Sequence, residues 1–452
     1  MKRQHEFKQT FNLALPLVIT LLAQVAMMTV DTLMMGFLGP RALAAGALSV
    51  AIFDTLFVSG LGFTIAVGAT LASAHGANDS DAITHTSRQG FWLCTFIAIP
   101  CWLILWFSPE IMTLLGQPSV VVEAAQQYLH AMMWCFLPSL FFINLRELTA
   151  AVGKPRIIMI IACTAIPFNG FFDYSFMLGK FGFPAMGIAG IGWATTLVEL
   201  LMFISIALCV QFQNKFAVYR IFHQWVWPNK SILQEVAKLG WPISVSILFE
   251  VGLFSVTSFL MGLVGIVPLA AHQIAFQCTV TMFMIPLGIS QAATLRVGNQ
   301  LGAGDKLAAH TAYRTALALG LAAAVITALL FFTAAGPIVH LFIRPDDLKN
   351  HNVAQTAITF LHIAAVFQIA DAFQAITNGA LRGMKDTFIP MLLGLGTYWL
   401  AGLGSGITLA FVFHFGGYGL WWGLVIGIIA SAIALFARYR YQHTSRPTAA
   451  PG

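Results

Sequence analysis

Apolar residues in this chain fall in long continuous runs with polar residues gathered between them. Twelve runs stand out, at about 11–34, 46–72, 89–107, 125–147, 157–179, 186–210, 236–263, 270–295, 312–334, 355–380, 388–413 and 417–437. A helix needs roughly 20 mostly apolar residues to cross a bilayer core about 30 Å thick. A barrel strand would instead alternate over about 10 residues and keep a polar face. The pattern therefore predicts an all-α membrane protein with twelve transmembrane helices.

The pattern also repeats. Shifted by 226 residues, Pro16–Asp79 aligns without a gap with Pro242–Asp305, and about 18 of 64 positions are identical. The matches include Pro16/Pro242, Gly36/Gly262, Gly39/Gly265, Gly62/Gly288 and Asp79/Asp305; Gly190 and Trp193 pair with Gly419 and Trp422 at an offset of 229. Shared apolar composition yields chance Leu and Ala matches, but not glycine and proline in register. The expectation is two six-helix lobes related by a pseudo-twofold axis along the membrane normal, an arrangement that in transporters places substrate between the halves. The lobes are read as 1–212 and 236–452, with 213–235 a cytoplasmic connector and a short cytoplasmic tail at the end. The connector's aromatic residues (Phe216, Tyr219, Phe222, Trp225, Trp227) are expected to lie partly at the membrane interface.

Charge orients the bundle. Lys and Arg number 23, and only Arg41, Lys180, Arg344 and Lys349 fall on one side of the predicted topology. The other 19 fall in the opposite loops and tails, so both termini are expected in the cytoplasm. Charged residues are only 9% of the 452, against 58% hydrophobic, with mean hydropathy +0.82. That is far below the roughly 25% charge of soluble domains. A disordered chain, a disulfide scaffold and a cytosolic enzyme are excluded. The net charge of +6 orients helices and does not mark a nucleic-acid binder. The first run is longer than a signal-peptide core and contains Asp31. The six cysteines lie in apolar runs without metal-ligand spacing and read as core thiols. His130 and His362 are related by the repeat and read as structural. No phosphate-binding loop is present, so an ion gradient or the membrane potential must supply the energy.

Seven acids lie inside or at the ends of the runs: Asp31, Asp54, Glu147, Asp173, Glu199, Glu250 and Asp371. A charge at mid-membrane costs at least about 2.5–3.5 kcal/mol, and none of these has a Lys or Arg in mid-membrane to pair with. They must be protonated, hydrated or bound to a cation. Asp31 sits late in the first helix and its repeat mate is Thr257, so it is no shared scaffold element. Asn169 and Asp173 are four apart on one face of the fifth helix and offer hard oxygen ligands for Na+ or a proton relay. Glu250 and Asp371 are the corresponding candidates in the second half. Glu199 and Asp54 are further candidates, with a local cap as the alternative for Asp54. Glu147 beside Arg146 reads as a terminal ion pair. The 38 Phe and 17 Met suit both lipid-facing packing and a plastic cavity for flat cations.

The run Asp31-Thr32-Leu33-Met34-Met35-Gly36 with Leu38-Gly39 and Ala44-Ala45 resembles the first two helices of the multidrug and toxic compound extrusion (MATE) family. Val297-Gly298-Asn299-Gln300-Leu301-Gly302 is similar to its second signature, and Leu381-Arg382-Gly383-Met384-Lys385-Asp386 to its helix 10–11 loop. The resemblance spans essentially the whole chain and is greatest to the bacterial drug/cation antiporter branch. It implies two six-helix lobes in a V that alternate between openings, and efflux of organic cations in exchange for Na+ or H+. It implies a first-lobe cation site of Asp31, Asn169, Asp173 and a sixth-helix threonine, Thr195 or Thr196. It implies a second-lobe site of Glu250 and Asp371. In the Na+-coupled branch a Tyr stands four residues before that Asp; here the position is Phe367, which argues against direct Na+ ligation in the second lobe.

The expected protein is thus a secondary active transporter, not an enzyme. It exports cationic amphipathic drugs by alternating access, with Na+ or H+ as coupling ion, no cofactor and no metal beyond transported Na+. It is expected to be a monomer surrounded by lipid in a bacterial cytoplasmic membrane. The alternative is a flippase of lipid-linked saccharides, whose relatives line the cavity with basic residues; acids dominate here.

Overall fold

The computed structural model describes residues 2–224, 226–343 and 351–445. Trp225, Arg344, Lys349 and Arg446 lie outside the described residues, as do the side chains of Lys2 and Arg3. Twelve helices are long and apolar enough to span a membrane. They are α1 (Gln4–Phe37), α2 (Pro40–Gly76), α3 (Ser80–Trp106), α4 (Ser119–Ala151), α5 (Arg156–Leu178) and α6 (Ile188–Phe212). The second six are α7 (Lys230–Val264), α8 (Ile266–Gly302), α9 (Lys306–Thr333), α10 (His351–Gly383), α11 (Phe388–Val412) and α12 (Gly416–Thr444). All twelve predicted runs are helices, and most extend a turn or more past the apolar run. Among the described residues three short helices, Ser108–Leu114, Asn214–Ala217 and Ala335–His340, were not predicted.

The repeat is visible in the backbone. Gly39 and Gly265 adopt φ of +102° and +152° in the two-residue-scale turns before α2 and α8, where a side chain would be strained. Asn78 and Gly304, again 226 apart, have φ of 56° and 78°. Each is followed by an aspartate that caps the next helix: Asp79 Oδ1 accepts from Ala82 N and Asp305 Oδ1 from Ala308 N, both at 2.8 Å. Such caps contribute about 1 kcal/mol each. Two helices depart from α geometry. A 3₁₀ turn, Met133–Cys135, interrupts α4 just before Pro138, whose missing N–H cannot continue the ladder. The backbone of α11 is π-helical over Gly396–Leu403 and Thr408–Val412.

The chain packs as two compact units, one of residues 19–244 and one of residues 1–18 with 245–452. The packing boundary therefore falls inside α1 and inside α7, two residues after Pro16 and Pro242. In the first unit the opening half of α7 lies on α2, where Ser244 Oγ donates to the Ser59 carbonyl at 2.7 Å. A Cβ on Gly62 would strike the backbone nitrogen of Ser244. In the other unit the opening half of α1 lies on α8. A Cβ on Gly288 would meet Val18 N at 2.8 Å, and Arg296 pairs with Glu6 at 2.6 Å. Gly62 and Gly288 are repeat mates, as are Val18 and Ser244, so one packing rule explains both glycines.

The connector is bonded to α3. Thr84 Oγ1 donates to the Tyr219 carbonyl, Arg88 to those of Arg220 and Ile221, and Trp92 Nε1 to that of Val226. Gln89 both donates to the Trp227 carbonyl and accepts from Asn229 N. Phe216 and Tyr219 are buried there, whereas Trp227 is exposed.

Substituting Gly288→Leu is expected to lower the melting temperature of the detergent-solubilised protein by several degrees. Overpacking costs about 1–3 kcal/mol, and here the obstacle includes backbone. Gly36→Leu, where nothing lies within 4 Å, is expected to leave the melting curve in place.

Candidate functional site

In the unit of residues 19–244, a cavity of about 230 Å³ opens among α1, α2, α4, α5 and α6. Its walls are largely aromatic and thioether, including Met27, Met35, Phe53, Phe57, Met132 and Phe142. Asp31, Asp54, Glu199, Asn169 and Thr195 also line it, and among the described residues no Lys, Arg or His does.

At one end the side chains of three helices converge. Asn169 Nδ2 donates to Asp31 Oδ1 at 2.5 Å and to Asp173 Oδ2 at 2.7 Å. Thr195 Oγ1 donates to the second Asp31 oxygen at 3.2 Å. Helical geometry explains the donor set: Asn169 and Asp173 share a face of α5 at i, i+4, and Asp31 reaches them from the last two turns of α1. Asp173 and Asn169 are buried, and Asp31 nearly so. Both amide hydrogens of Asn169 serve carboxylates, which is why its nitrogen, not its oxygen, faces them. Thr196 points elsewhere and donates to the Ala131 carbonyl at 2.8 Å, so Thr195 is the threonine of this cluster.

Two buried polar atoms at this site have no hydrogen-bond partner: Asp173 Oδ1 and the hydroxyl of Tyr128. Burying an unpaired carboxylate oxygen or phenol costs about 1–3 kcal/mol. A carboxylate oxygen can accept a proton or bind a cation, and a phenol can donate to water or accept from it. Tyr128 was not singled out in the sequence; a tyrosine in an apolar run looks like core or interface.

Asp54 and Glu199 face the same cavity. Glu199 follows Thr195 by one turn of α6, and Ser139 lies within hydrogen-bonding reach of its carboxylate. Asp54 stands on α2 beside Phe53 and Phe57, whose rings stack at 5.8 Å and meet Phe136 edge-on.

The acids of the other unit are arranged differently. Asp371 is buried on α10, and Glu250 on α7 is half-buried within electrostatic reach of it. No hydrogen bond joins them among the described residues. Arg382, near the end of α10, lies within electrostatic reach of Glu250. The sequence offered these acids no Lys or Arg in mid-membrane; Arg382, next to the last residue of α10, has a side chain long enough to reach inward from the helix end. Phe367 is buried against Phe254, with ring centroids 6.2 Å apart, and supplies no oxygen. A hydroxyl comes instead from Tyr398, on the π-helical part of α11, which accepts from Gln374 Nε2 at 2.6 Å. A larger groove of about 810 Å³ between α9, α10 and α12 contains His362 and, among the described residues, no acid.

Glu147 and Arg146 form a buried ion pair at 3.0 Å, as read from the sequence. His130 stacks on Trp106, His362 lies tilted against Phe332 with ring centroids 5.1 Å apart, and all six cysteines are free. Among the described residues no cluster of three or more His, Cys, Asp and Glu could hold a metal ion.

Comparison with known proteins agrees with this architecture. A family model described as MatE matches residues 16–175 and 242–408. A probable multidrug resistance protein NorM of Brucella suis is 36% identical over 449 residues, covering 98% of this chain and 95% of its own. A mutant of the Vibrio cholerae MATE transporter VcmN superposes with a TM-score of 0.89 at 18% identity, covering 99% of each chain. A MATE structure in the bent conformation superposes with a TM-score of 0.87 at 20% identity, covering 98% and 97%. The chain belongs to the MATE family. It is accordingly a multi-pass membrane transporter and not an enzyme.

The two threonines give a direct test. Thr195→Val removes the hydroxyl from Asp31 and is expected to slow transport severalfold. Thr196→Val is expected to leave the rate near wild type while lowering the melting temperature. Initial rates of dye efflux from cells matched for expression check this.

Proposed function

We propose that this protein is a secondary active efflux transporter that exports cationic, amphipathic compounds in exchange for Na+ or H+ by alternating access. The observation that carries the reading is the Asp31–Asn169–Asp173 cluster: two carboxylates on one amide, one buried oxygen unpaired, no base lining the adjoining cavity. A carboxylate pair in apolar surroundings is stable when a cation or proton neutralises it. Rotation of the Asn169 amide would turn its carbonyl oxygen toward the two carboxylates, giving an arriving cation a further hard ligand. We assign coupling to this cluster because Glu250 already has Arg382 within electrostatic reach, whereas among the described residues no base acts on Asp31.

Occupancy by the ion weakens the hold on a cationic substrate, and the substrate leaves. Coupling requires that ion and substrate differ in affinity for the two states. The reading includes both termini in the cytoplasm, a monomer in a lipid bilayer of the bacterial cytoplasmic membrane, and lobes that follow the repeat.

In proteoliposomes with Na+ and H+ gradients imposed separately, one gradient is expected to drive efflux of ethidium. Asp31→Asn is expected to reduce driven efflux at least about tenfold, equivalent to about 1.4 kcal/mol, and Asp371→Asn by less. Flux in the unmutated protein that follows only the dye gradient would sink the antiport reading.

A further inference from the structure

Two lysines meet where α5 begins. The side chain of Lys154, in the turn before α5, lies within hydrogen-bonding reach of Lys215 and within electrostatic reach of Arg156. An ammonium group only donates, so two of them cannot bond to each other. Like charges placed this way repel unless an anion lies between them. Among the described residues no carboxylate acts on Lys154, and the nearest in sequence, Glu147, is buried and paired with Arg146. The backbone holds both lysines in place. Lys154 N donates to the Thr149 carbonyl at 2.8 Å, and Phe216, next to Lys215, is fully buried. The first turn of α5 carries no acid, so the positive end of the helix dipole adds to the three side chains.

An apolar surface leads to this cluster. Helices α5 and α6 pack against each other. Arg156, Ile160, Thr164 and Phe168 recur every fourth residue along one face of α5, and all four are exposed. Thr164 spends its hydroxyl on the Ile160 and Ile161 carbonyls, at 2.9 and 2.8 Å. On α6, Ile204, Leu208 and Phe212 are exposed at the same spacing, and Lys215 follows three residues later. Ile160 to Phe168 and Ile204 to Phe212 each rise about 12 Å. One leaflet of a bilayer core is about 15 Å deep. Positive charge at one end of a leaflet-deep apolar surface matches a phosphate with its acyl chains.

We propose that Lys154, Arg156 and Lys215 bind the phosphate of an anionic phospholipid whose acyl chains lie along the exposed faces of α5 and α6. The Arg156 guanidinium can donate to two phosphate oxygens at once, and the two ammonium groups supply point charges around the others. A zwitterionic lipid also has a phosphate, but it would bring its own cation among three positive charges. The lipid joins the turn before α5 to the connector after α6, two segments that otherwise repel through their lysines. This site is separate from the cavity beside Asp31, and its test involves neither a gradient nor a transported compound.

The probe is dioleoyl phosphatidylglycerol, titrated into detergent-purified full-length protein and read by native mass spectrometry. Lys154→Gln, Arg156→Gln and Lys215→Gln are each expected to weaken binding about fivefold, and the triple variant by more than about tenfold. A control triple, Lys8→Gln with Lys238→Gln and Arg440→Gln, removes the same charge elsewhere and is expected to bind within about twofold of wild type. Dioleoyl phosphatidylcholine, with the same chains and no net charge, is expected to bind wild type and the Lys154/Arg156/Lys215 triple variant equally weakly. Glycerol 3-phosphate in excess is expected not to displace the lipid, because it lacks the chains. Equal loss in the two triple variants overturns the proposal, since charge alone and not this site would then hold the lipid. Displacement by glycerol 3-phosphate also overturns it, in favour of a soluble phosphate. Should the triple variant not fold, a phosphatidylglycerol with a diazirine in its acyl chain is photolysed on the unmutated protein. Adducts on Ile160–Phe168 and Ile204–Phe212 support the site, and adducts spread evenly over the lipid-facing helices overturn it.

Discussion

One side-chain amide, that of Asn169, holds two carboxylates from different helices together in apolar surroundings. Without a shared donor, Asp31 and Asp173 would repel each other where water cannot screen them. With it, α1 is tied to α5 and, through Thr195, to α6. The cavity exists beside this knot because the same three helices form part of its wall. The other unit has its own acids, but among the described residues no amide bridges Glu250 and Asp371, and Arg382 lies within electrostatic reach of Glu250. The two halves share a scaffold and differ in charge chemistry, as expected when the repeat mate of Asp31 is Thr257.

Much of this was legible in the chain because the relevant constraints are local. A run of roughly 20 apolar residues has few alternatives to a spanning helix, so all twelve spans could be counted. Acids inside such runs are expensive enough to stand out, which is how Asp31, Asp173 and Glu199 were found. What stayed hidden depends on which face of a helix meets which neighbour. Thr195 and Thr196 are adjacent in sequence, but helical rotation points one at Asp31 and the other at α4. Tyr128 and Tyr398 carry hydroxyls that matter only because of what surrounds them, and tyrosines in membrane helices look alike in a sequence. The reach of Arg382 was missed because a base near a helix end normally turns outward.

The glycine matches between halves gained a cause they lacked in the sequence. Gly62 and Gly288 are small because the opening half of another helix presses backbone against them. A gap-free alignment across 64 residues is the trace of that shared contact. Insertion of even one residue between the turn at Gly39 and the contact at Gly62 would rotate α2 by about 100° and bring a side chain to the crowded position.

The bonding of the connector to α3 bears on where the chain can yield. Loops usually provide slack between packed bodies, but here the backbone of Tyr219, Arg220, Ile221, Val226, Trp227 and Asn229 is held by side chains of Thr84, Arg88, Gln89 and Trp92. The covalent passages from one unit to the other run through helical backbone, at 18–19 and at 244–245. Any displacement of one body against the other must be absorbed as curvature of α1 and α7 and not as play in a linker. Each passage lies just past a proline, where the ladder lacks one rung. The stiffness of these two short stretches, set by a few backbone hydrogen bonds, would then govern how fast such a displacement can occur.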